Sequence, residues 1–152
     1  MIRTDKRLRL CTVLLVLILV FIWGNSLMPG TVSQAISNWA QNLIMDTHPD
    51  VNGNPEGNTI LRKLAHFTEF AALGMCLGWL FGMLQKKKGW PFLCGVAAAC
   101  IDETIQAFVP ERAPGLRDVL IDSCGVLTGL ILLYFGHTYL KERSANQSPE
   151  DM

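Results

Sequence analysis

The chain has 152 residues, which suits one domain, and half of them are hydrophobic. Its 13 basic and 13 acidic residues give a formal net charge of zero, so nothing in the total charge indicates a nucleic-acid partner. The apolar residues form runs of about 20 residues, the length of a helix that crosses a bilayer. The composition therefore predicts an all-α, polytopic membrane protein.

The first apolar segment follows a basic amino terminus, and we predict a transmembrane helix over residues 8–28. No charged residue occurs between Leu10 and Met28, and Pro29 with Gly30 ends the segment. A secretory signal peptide starts in the same way, but no small-x-small cleavage motif follows cleanly. The nearest candidate is Gly24-Asn25-Ser26. We therefore favour an uncleaved membrane span.

The stretch 31–45 predicts a short amphipathic helix after the first span. Val32, Ile36, Trp39 and Leu43 recur at helical spacing, whereas the other faces are polar but uncharged. The segment is too short and too polar to cross a bilayer. We expect it to lie on the outer membrane surface with Trp39 at the interface, or else to pack simply against the other helices.

Three further spans are predicted over residues 60–84, 90–109 and 118–139, and a polar tail over 140–152. The whole chain, 1–152, is then a single membrane domain with four transmembrane helices. All five cysteines lie inside apolar runs and are interpreted as small buried apolar residues, so neither a disulfide nor a thiolate metal site is predicted.

The distribution of cations predicts the topology. With the amino terminus in the cytoplasm, nine of the 13 Lys and Arg residues fall on the inner side and four on the outer side, as the positive-inside rule requires. Both termini are then cytoplasmic. The four outer cations are Arg62, Lys63, Arg112 and Arg117.

Ionisable residues concentrate at the predicted outer ends of three spans. Lys63, His66 and Glu69 are three residues apart, so they share one helical face. A charged group inside a bilayer costs several kcal/mol unless it is paired or functional. We therefore predict a polar cup that opens outward, lined by Lys63, His66, Glu69, Asp102, Glu103, Gln106, Arg112, Asp118 and Asp122.

Two glycines continue the acidic stripe of the last span. Asp118, Asp122, Gly125 and Gly129 follow one another at spacings of four, three and four, so they lie on one helical face. Two glycines four residues apart let a neighbouring membrane helix approach closely. We therefore predict a close helix contact below the acidic end of this stripe.

Three motifs taken together resemble the VanZ-like family of bacterial integral membrane proteins, over about residues 20–135. They read Lys63-x-x-His66-Phe67-x-Glu69-Phe70, then Asp102-Glu103-x-x-Gln106-x-Phe108-x-Pro110-x-Arg112, then Asp118-x-x-x-Asp122 with glycines. Phe70 stands where the family usually has tyrosine, and Asp122 where asparagine is common. The resemblance implies a bacterial plasma membrane, the cell envelope and a link to resistance to glycopeptides such as teicoplanin. It implies no established reaction.

Three functions remain open. The first is binding of a membrane lipid or a lipid-linked cell-wall precursor by its headgroup, with the arginines facing phosphate. The second is a metal-assisted hydrolase or transferase that acts on a lipid-linked substrate. The third is a purely structural network of interhelical ion pairs. The predicted binding residues are Lys63, Gln106, Arg112, Arg117, Asp118 and Asp122.

The enzyme alternative assigns catalytic roles to His66, Glu69, Asp102 and Glu103. His66 and Glu69 would share acid and base work, and Asp102, Glu103 and Asp118 would hold a divalent metal. Outside this alternative no cofactor and no metal ligand are predicted. Membrane lipid is the expected partner, nucleic acid is not, and the oligomeric state stays open.

Overall fold

A computed structural model describes residues 2–45, 55–87, 89–112 and 115–146. Within these ranges the chain forms five α-helices and no strand, which confirms the all-α prediction. The helices are α1 (Ile2–Ser26), α2 (Gly30–Met45), α3 (Pro55–Met83), α4 (Trp90–Ala107) and α5 (Leu116–Asn146).

Three of these helices, α1, α3 and α5, are long and apolar enough to cross a membrane. Their apolar stretches are Lys6–Ser26, Ile60–Met83 and Leu116–Ser144, at the positions of three predicted spans. The fourth predicted span corresponds to α4, whose acidic and amide side chains near its end lower its mean hydropathy. Its 18 residues extend over about 27 Å, close to the thickness of a bilayer core. A fourth span therefore stays a prediction.

The helix α2 confirms the short helix expected after the first span. Val32, Ile36 and Trp39 are largely exposed on its surface, while Ser37 is buried. Its position on the membrane surface stays a prediction. At the other end of the chain, α5 continues to Asn146, inside the predicted polar tail, and residues 147–152 lie outside the described part.

The helix ends follow local sequence signals. α3 ends in a Schellman motif in which Gln85, at φ 52°, takes the left-handed position that glycine usually occupies. Its N–H donates to the Gly82 carbonyl at 3.2 Å, and the Lys86 N–H donates to the Phe81 carbonyl at 3.1 Å. α4 then starts with Pro91 in its first turn, where the missing N–H costs nothing.

The helices α3 and α5 meet along a glycine seam formed by Gly74, Gly125 and Gly129. A methyl group at Gly129 would collide with the backbone carbonyl of Ala71, and one at Gly74 with the backbone of Val126. The two backbones are therefore in direct contact. The predicted close approach at Gly125 and Gly129 is confirmed, and the neighbouring helix is α3.

The hydrophobic core lies beside this seam. Val126 of α5 fills the space that Gly95 leaves on α4, and it packs in one cluster with Ile22 of α1 and Phe70 of α3. Phe70 is completely buried in this cluster. At this position the family usually has tyrosine, and the apolar ring of phenylalanine fits these apolar surroundings. α4 packs against α1, α3 and α5, and its polar last turns lie at one end of the bundle.

Candidate functional site

Four helix ends meet at the polar end of the bundle. The ends of α3, α4 and α5 come together as predicted, since Lys63 Nζ on α3 lies 3.0 Å from Asp118 Oδ1 on α5, and Asp102 on α4 lies beside His66 on α3. The end of α1 joins them through two side chains. Asn25 Nδ2 donates to Glu69 Oε1 at 2.9 Å, and Ser26 Oγ accepts from Gln106 Nε2 at 3.3 Å.

His66 lies at the centre of this site. Its Nδ1 is 3.9 Å from Asp102 Oδ2 and 4.0 Å from Glu69 Oε2, which is too far for a hydrogen bond. His66 Nδ1, Glu69 Oε2 and Asp102 Oδ1 are all buried without a hydrogen-bond partner. Because buried polar atoms in proteins are nearly always paired, three unpaired atoms in one place indicate a site that a ligand, ion or water completes.

A second carboxylate, that of Asp122, is also buried beside His66. His66, Asp102 and Asp122 each offer one potential ligand atom, and these atoms lie within 4.8 Å of one another. The ligand set expected from the sequence is different and shares only Asp102 with this trio. Glu103 Oε2 instead accepts the Gly115 N–H at 2.8 Å, and Asp118 pairs with Lys63.

Arg112 closes the carboxyl end of α1. Its guanidinium donates to the carbonyls of Met28 at 3.3 Å and Asn25 at 3.1 Å, and to Gln106 Oε1 at 3.4 Å. A positive charge is favourable there because the helix dipole leaves its carboxyl end negative. Burial lowers the pKa of Arg112, but an arginine stays protonated at neutral pH. Three of its five donors are used, so two remain for a ligand.

Glu111 holds the start of α2, which follows α1 after a short turn. Its Oε2 accepts the Thr31 N–H at 3.1 Å, where a carboxylate complements the positive end of a helix. Glu111 has a φ of 63°, which is uncommon outside glycine. A Cβ on Gly30 would come within 2.6 Å of the Glu111 carbonyl oxygen, so the close approach requires glycine at that position.

Two cavities open onto this site, and both are lined by Arg62 and His66. The larger, of about 340 Å³, lies among α1, α2 and α3. Its wall is formed by Phe21, Asn25, Met28, Ser33, Ile36, Ser37, Ala40, Leu61, Arg62, Ala65, His66, Glu69 and Arg112. The smaller, of about 20 Å³, lies among α3, α4 and α5 and is lined by Arg62, Lys63, His66, Glu103, Gln106, Asp118, Ile121 and Asp122.

The structure brings most of the predicted site residues to the same end of the bundle, with one exception. Arg117 is exposed and lines neither of these two cavities. The predicted set omits Arg62, Asn25 and Ser26, which the fold brings to the site. Asn25 and Ser26 are a polar pair at the end of the uncharged stretch of α1, and Ser26 also suits the end of the first helix in the VanZ-like family.

Apolar helices that close at one end around a buried histidine and several carboxylates define a polytopic membrane protein with a polar centre. Residues 11–137 match the family described as VanZ/LLP1. Because this match covers most of the chain, the protein belongs to that family, and the resemblance of its three motifs is confirmed. Neither the curated proteins nor the solved structures compared with the chain contain a match.

Proposed function

We propose that this protein binds the phosphate-bearing headgroup of a membrane amphiphile, either a phospholipid or a lipid-linked cell-wall precursor. The observation that carries the proposal is the 340 Å³ cavity, whose lining combines two arginines with several apolar side chains. An amphiphile likewise combines a polar headgroup with an apolar chain. Ligand cavities of this kind usually measure about 300–1,000 Å³, so this one suits a headgroup rather than a whole lipid.

The polar end of the cavity offers both donors and an acceptor. Arg62 lines it together with Arg112, which keeps two free donors, and guanidinium groups bind phosphate oxygens through paired hydrogen bonds. Arg112 is already held by the carbonyls of α1, so little side-chain entropy is lost when a ligand binds. Glu69 Oε2, buried without a partner in the same cavity, would accept an amine or amide N–H of the headgroup.

The apolar wall of the cavity leads outward between α1 and α2. Phe21 and Ile36 line the cavity, and each also has more than half of its surface exposed. A hydrocarbon chain attached to a bound headgroup would therefore continue along this apolar surface toward the lipid.

The proposed setting is a bacterial plasma membrane, with both termini in the cytoplasm and the polar site at the outer face. The positive-inside rule supports this orientation. Membership of the VanZ/LLP1 family fits a link to glycopeptide resistance. We expect an occupied site to change how cell-wall precursors are presented to teicoplanin-type drugs. Two carboxyl-terminal reporters test the orientation, one active only in the cytoplasm and one active only in the periplasm. Activity of the periplasmic reporter alone would contradict it.

The binding proposal is tested by native mass spectrometry on the full-length protein in detergent with added lipid. Arg62→Gln should weaken binding about tenfold, because charge-assisted hydrogen bonds contribute ~1.5–3 kcal/mol. Arg143→Gln is the matched control, since Arg143 is exposed in the last turn of α5, far along the helix from the site. Equal lipid binding by wild type and Arg62→Gln contradicts the proposal.

The source of the headgroup is decided by competition among three probes. A prenyl diphosphate that displaces phosphatidylglycerol and phosphatidylethanolamine identifies a cell-wall precursor as the ligand. Similar binding of all three identifies a general phospholipid site. Binding of uncharged diacylglycerol as tight as that of the phosphate-bearing lipids would rule out headgroup recognition.

A further inference from the structure

We infer that His66, Asp102 and Asp122 form a binding site for a divalent transition-metal ion where α3, α4 and α5 meet. One ligand atom from each residue lies within 4.8 Å of the other two. The inference does not depend on lipid binding, because none of its evidence comes from the larger cavity.

The donor set determines the class of metal. One imidazole nitrogen and two carboxylate oxygens suit Zn²⁺ or Mn²⁺, because imidazole binds zinc well and carboxylates bind manganese well. Metal–ligand bonds of about 2.0–2.2 Å place neighbouring ligand atoms roughly 3–3.5 Å apart. His66 Nδ1 and Asp102 Oδ2 are 3.9 Å apart, and all three ligand atoms lie within 4.8 Å of one another, so the side chains have to draw together by up to roughly 1–2 Å to hold an ion. Three protein ligands leave a position open for water or substrate.

The unpaired buried atoms are an independent indication of a ligand. Asp102 is fully buried, and its Oδ1 has no hydrogen-bond partner. His66 Nδ1, which lies 3.9 Å from the other Asp102 oxygen, is also buried and unpaired. The small cavity of about 20 Å³ is lined by His66 and Asp122, and it is large enough for one ion or one water molecule.

The balance of charge at this point also favours a dication. Asp102 and Asp122 are 0% and 2% exposed, respectively. Of the cations nearby, Lys63 pairs with Asp118, and Arg112 donates to backbone carbonyls and Gln106. Arg62 lines the small cavity together with Asp122, and its single charge does not balance two buried carboxylates. Among the described residues, no ion pair or hydrogen bond involves the Asp122 carboxyl. Buried charges require a partner, and a divalent ion would compensate both carboxylates.

Gln106 holds one of the proposed ligands in place. Its Nε2 donates to Asp102 Oδ2 at 2.8 Å and to Ser26 Oγ at 3.3 Å, so it ties the carboxylate to the end of α1. Mutation of a group that orients a metal ligand in this way typically lowers metal affinity by about 10–100-fold. Gln106 is therefore a positioning residue of the site.

The test is metal analysis of the full-length protein, purified in detergent after exposure to Zn²⁺ or Mn²⁺ and removal of the free ion. We expect one ion per wild-type chain, and loss of the ion in Asp122→Asn and in His66→Gln. Glu142→Gln is the control, because Glu142 is an exposed carboxylate in the last turns of α5, far along the helix from the site. The control should keep its metal.

Metal-dependent thermal stability gives a second readout. Added Zn²⁺ or Mn²⁺ should raise the unfolding temperature of the wild type and of Glu142→Gln, but not that of Asp122→Asn or His66→Gln. The Asp122→Asn change preserves side-chain shape, and size-exclusion chromatography verifies that each variant is folded. Substoichiometric metal in the wild type, or retention of the metal in Asp122→Asn, overturns the proposal. Failure of the Arg62→Gln lipid test leaves this result unaffected.

Discussion

The two ends of the α3–α5 pair are packed in opposite ways. Around Gly129 the backbones touch, and no side chain separates the two helices. Around Lys63 and Asp118 the same helices are joined by polar side chains, which also line the small cavity. In membranes, helices associate mainly through close van der Waals contact, and small residues provide it. The glycine end therefore supplies cohesion that the polar end does not.

This difference explains how the polar site can persist. Buried polar atoms without partners cost about 1–3 kcal/mol each, and the site contains such atoms on His66, Glu69 and Asp102. The seam fixes the distance and rotation of α3 against α5, so the site cannot relax by collapsing. We conclude that close packing is concentrated at the glycine end and unpaired polar atoms at the polar end.

The largest expected effect comes from breaking the seam. Gly129→Ala places a methyl group against the backbone carbonyl of Ala71, which cannot rotate away as a side chain would. We expect a loss of about 3 kcal/mol in the free energy of unfolding, at the upper end for overpacking. Unfolding in mixed micelles measures it.

Gly136→Ala is the matched control for the seam. It lies on the same helix, but no atom lies within 4 Å of the Cβ that the substitution adds. Because alanine is a better helix former, this change should be neutral or should stabilise by up to ~1 kcal/mol. Equal destabilisation by the two changes would mean that the seam does not hold the helices together.

A smaller loss is expected at the polar end from Arg112→Gln. The change leaves the carbonyls of Asn25 and Met28 without their donors, at a cost of about 2 kcal/mol. Glu111→Gln is the control, since glutamine can still accept the Thr31 N–H and should cost less than about 1 kcal/mol. The same unfolding assay compares them. A larger effect at Glu111 would show that the turn between α1 and α2 is held mainly through the start of α2 rather than through the end of α1.

The smallest effect is expected from Lys63→Met. Lys63 and Asp118 are each about 30% exposed, so solvent screens their ion pair and its loss should cost less than about 1 kcal/mol. Added salt should reduce the difference from wild type. Arg117→Gln, at an exposed position, should stay within about 0.5 kcal/mol of wild type. A loss at Lys63 as large as that at Gly129 would contradict the division between the two ends.

The sequence predicts the helices and the end of the bundle at which the site lies. Long uncharged runs define spans locally, and neighbouring spans run in opposite directions, so the polar ends at His66, Asp102 and Asp118 have to meet. The glycine spacing of Gly125 and Gly129 also predicts a close contact without naming the partner. The contribution of Asn25 escapes prediction, because a single amide at the end of an apolar helix resembles an ordinary helix end.

Which side chains face one another depends on how each helix is rotated, and the tertiary structure alone decides this. The seam rotates α5 so that Asp122 faces His66, while Glu103 is taken by the Gly115 N–H and Asp118 by Lys63. Arg112, expected to face phosphate, is largely committed to α1. By itself, then, the sequence determines that the polar ends of α3, α4 and α5 come together. The contacts that select their partners come from residues distant in the chain, and no local pattern records them.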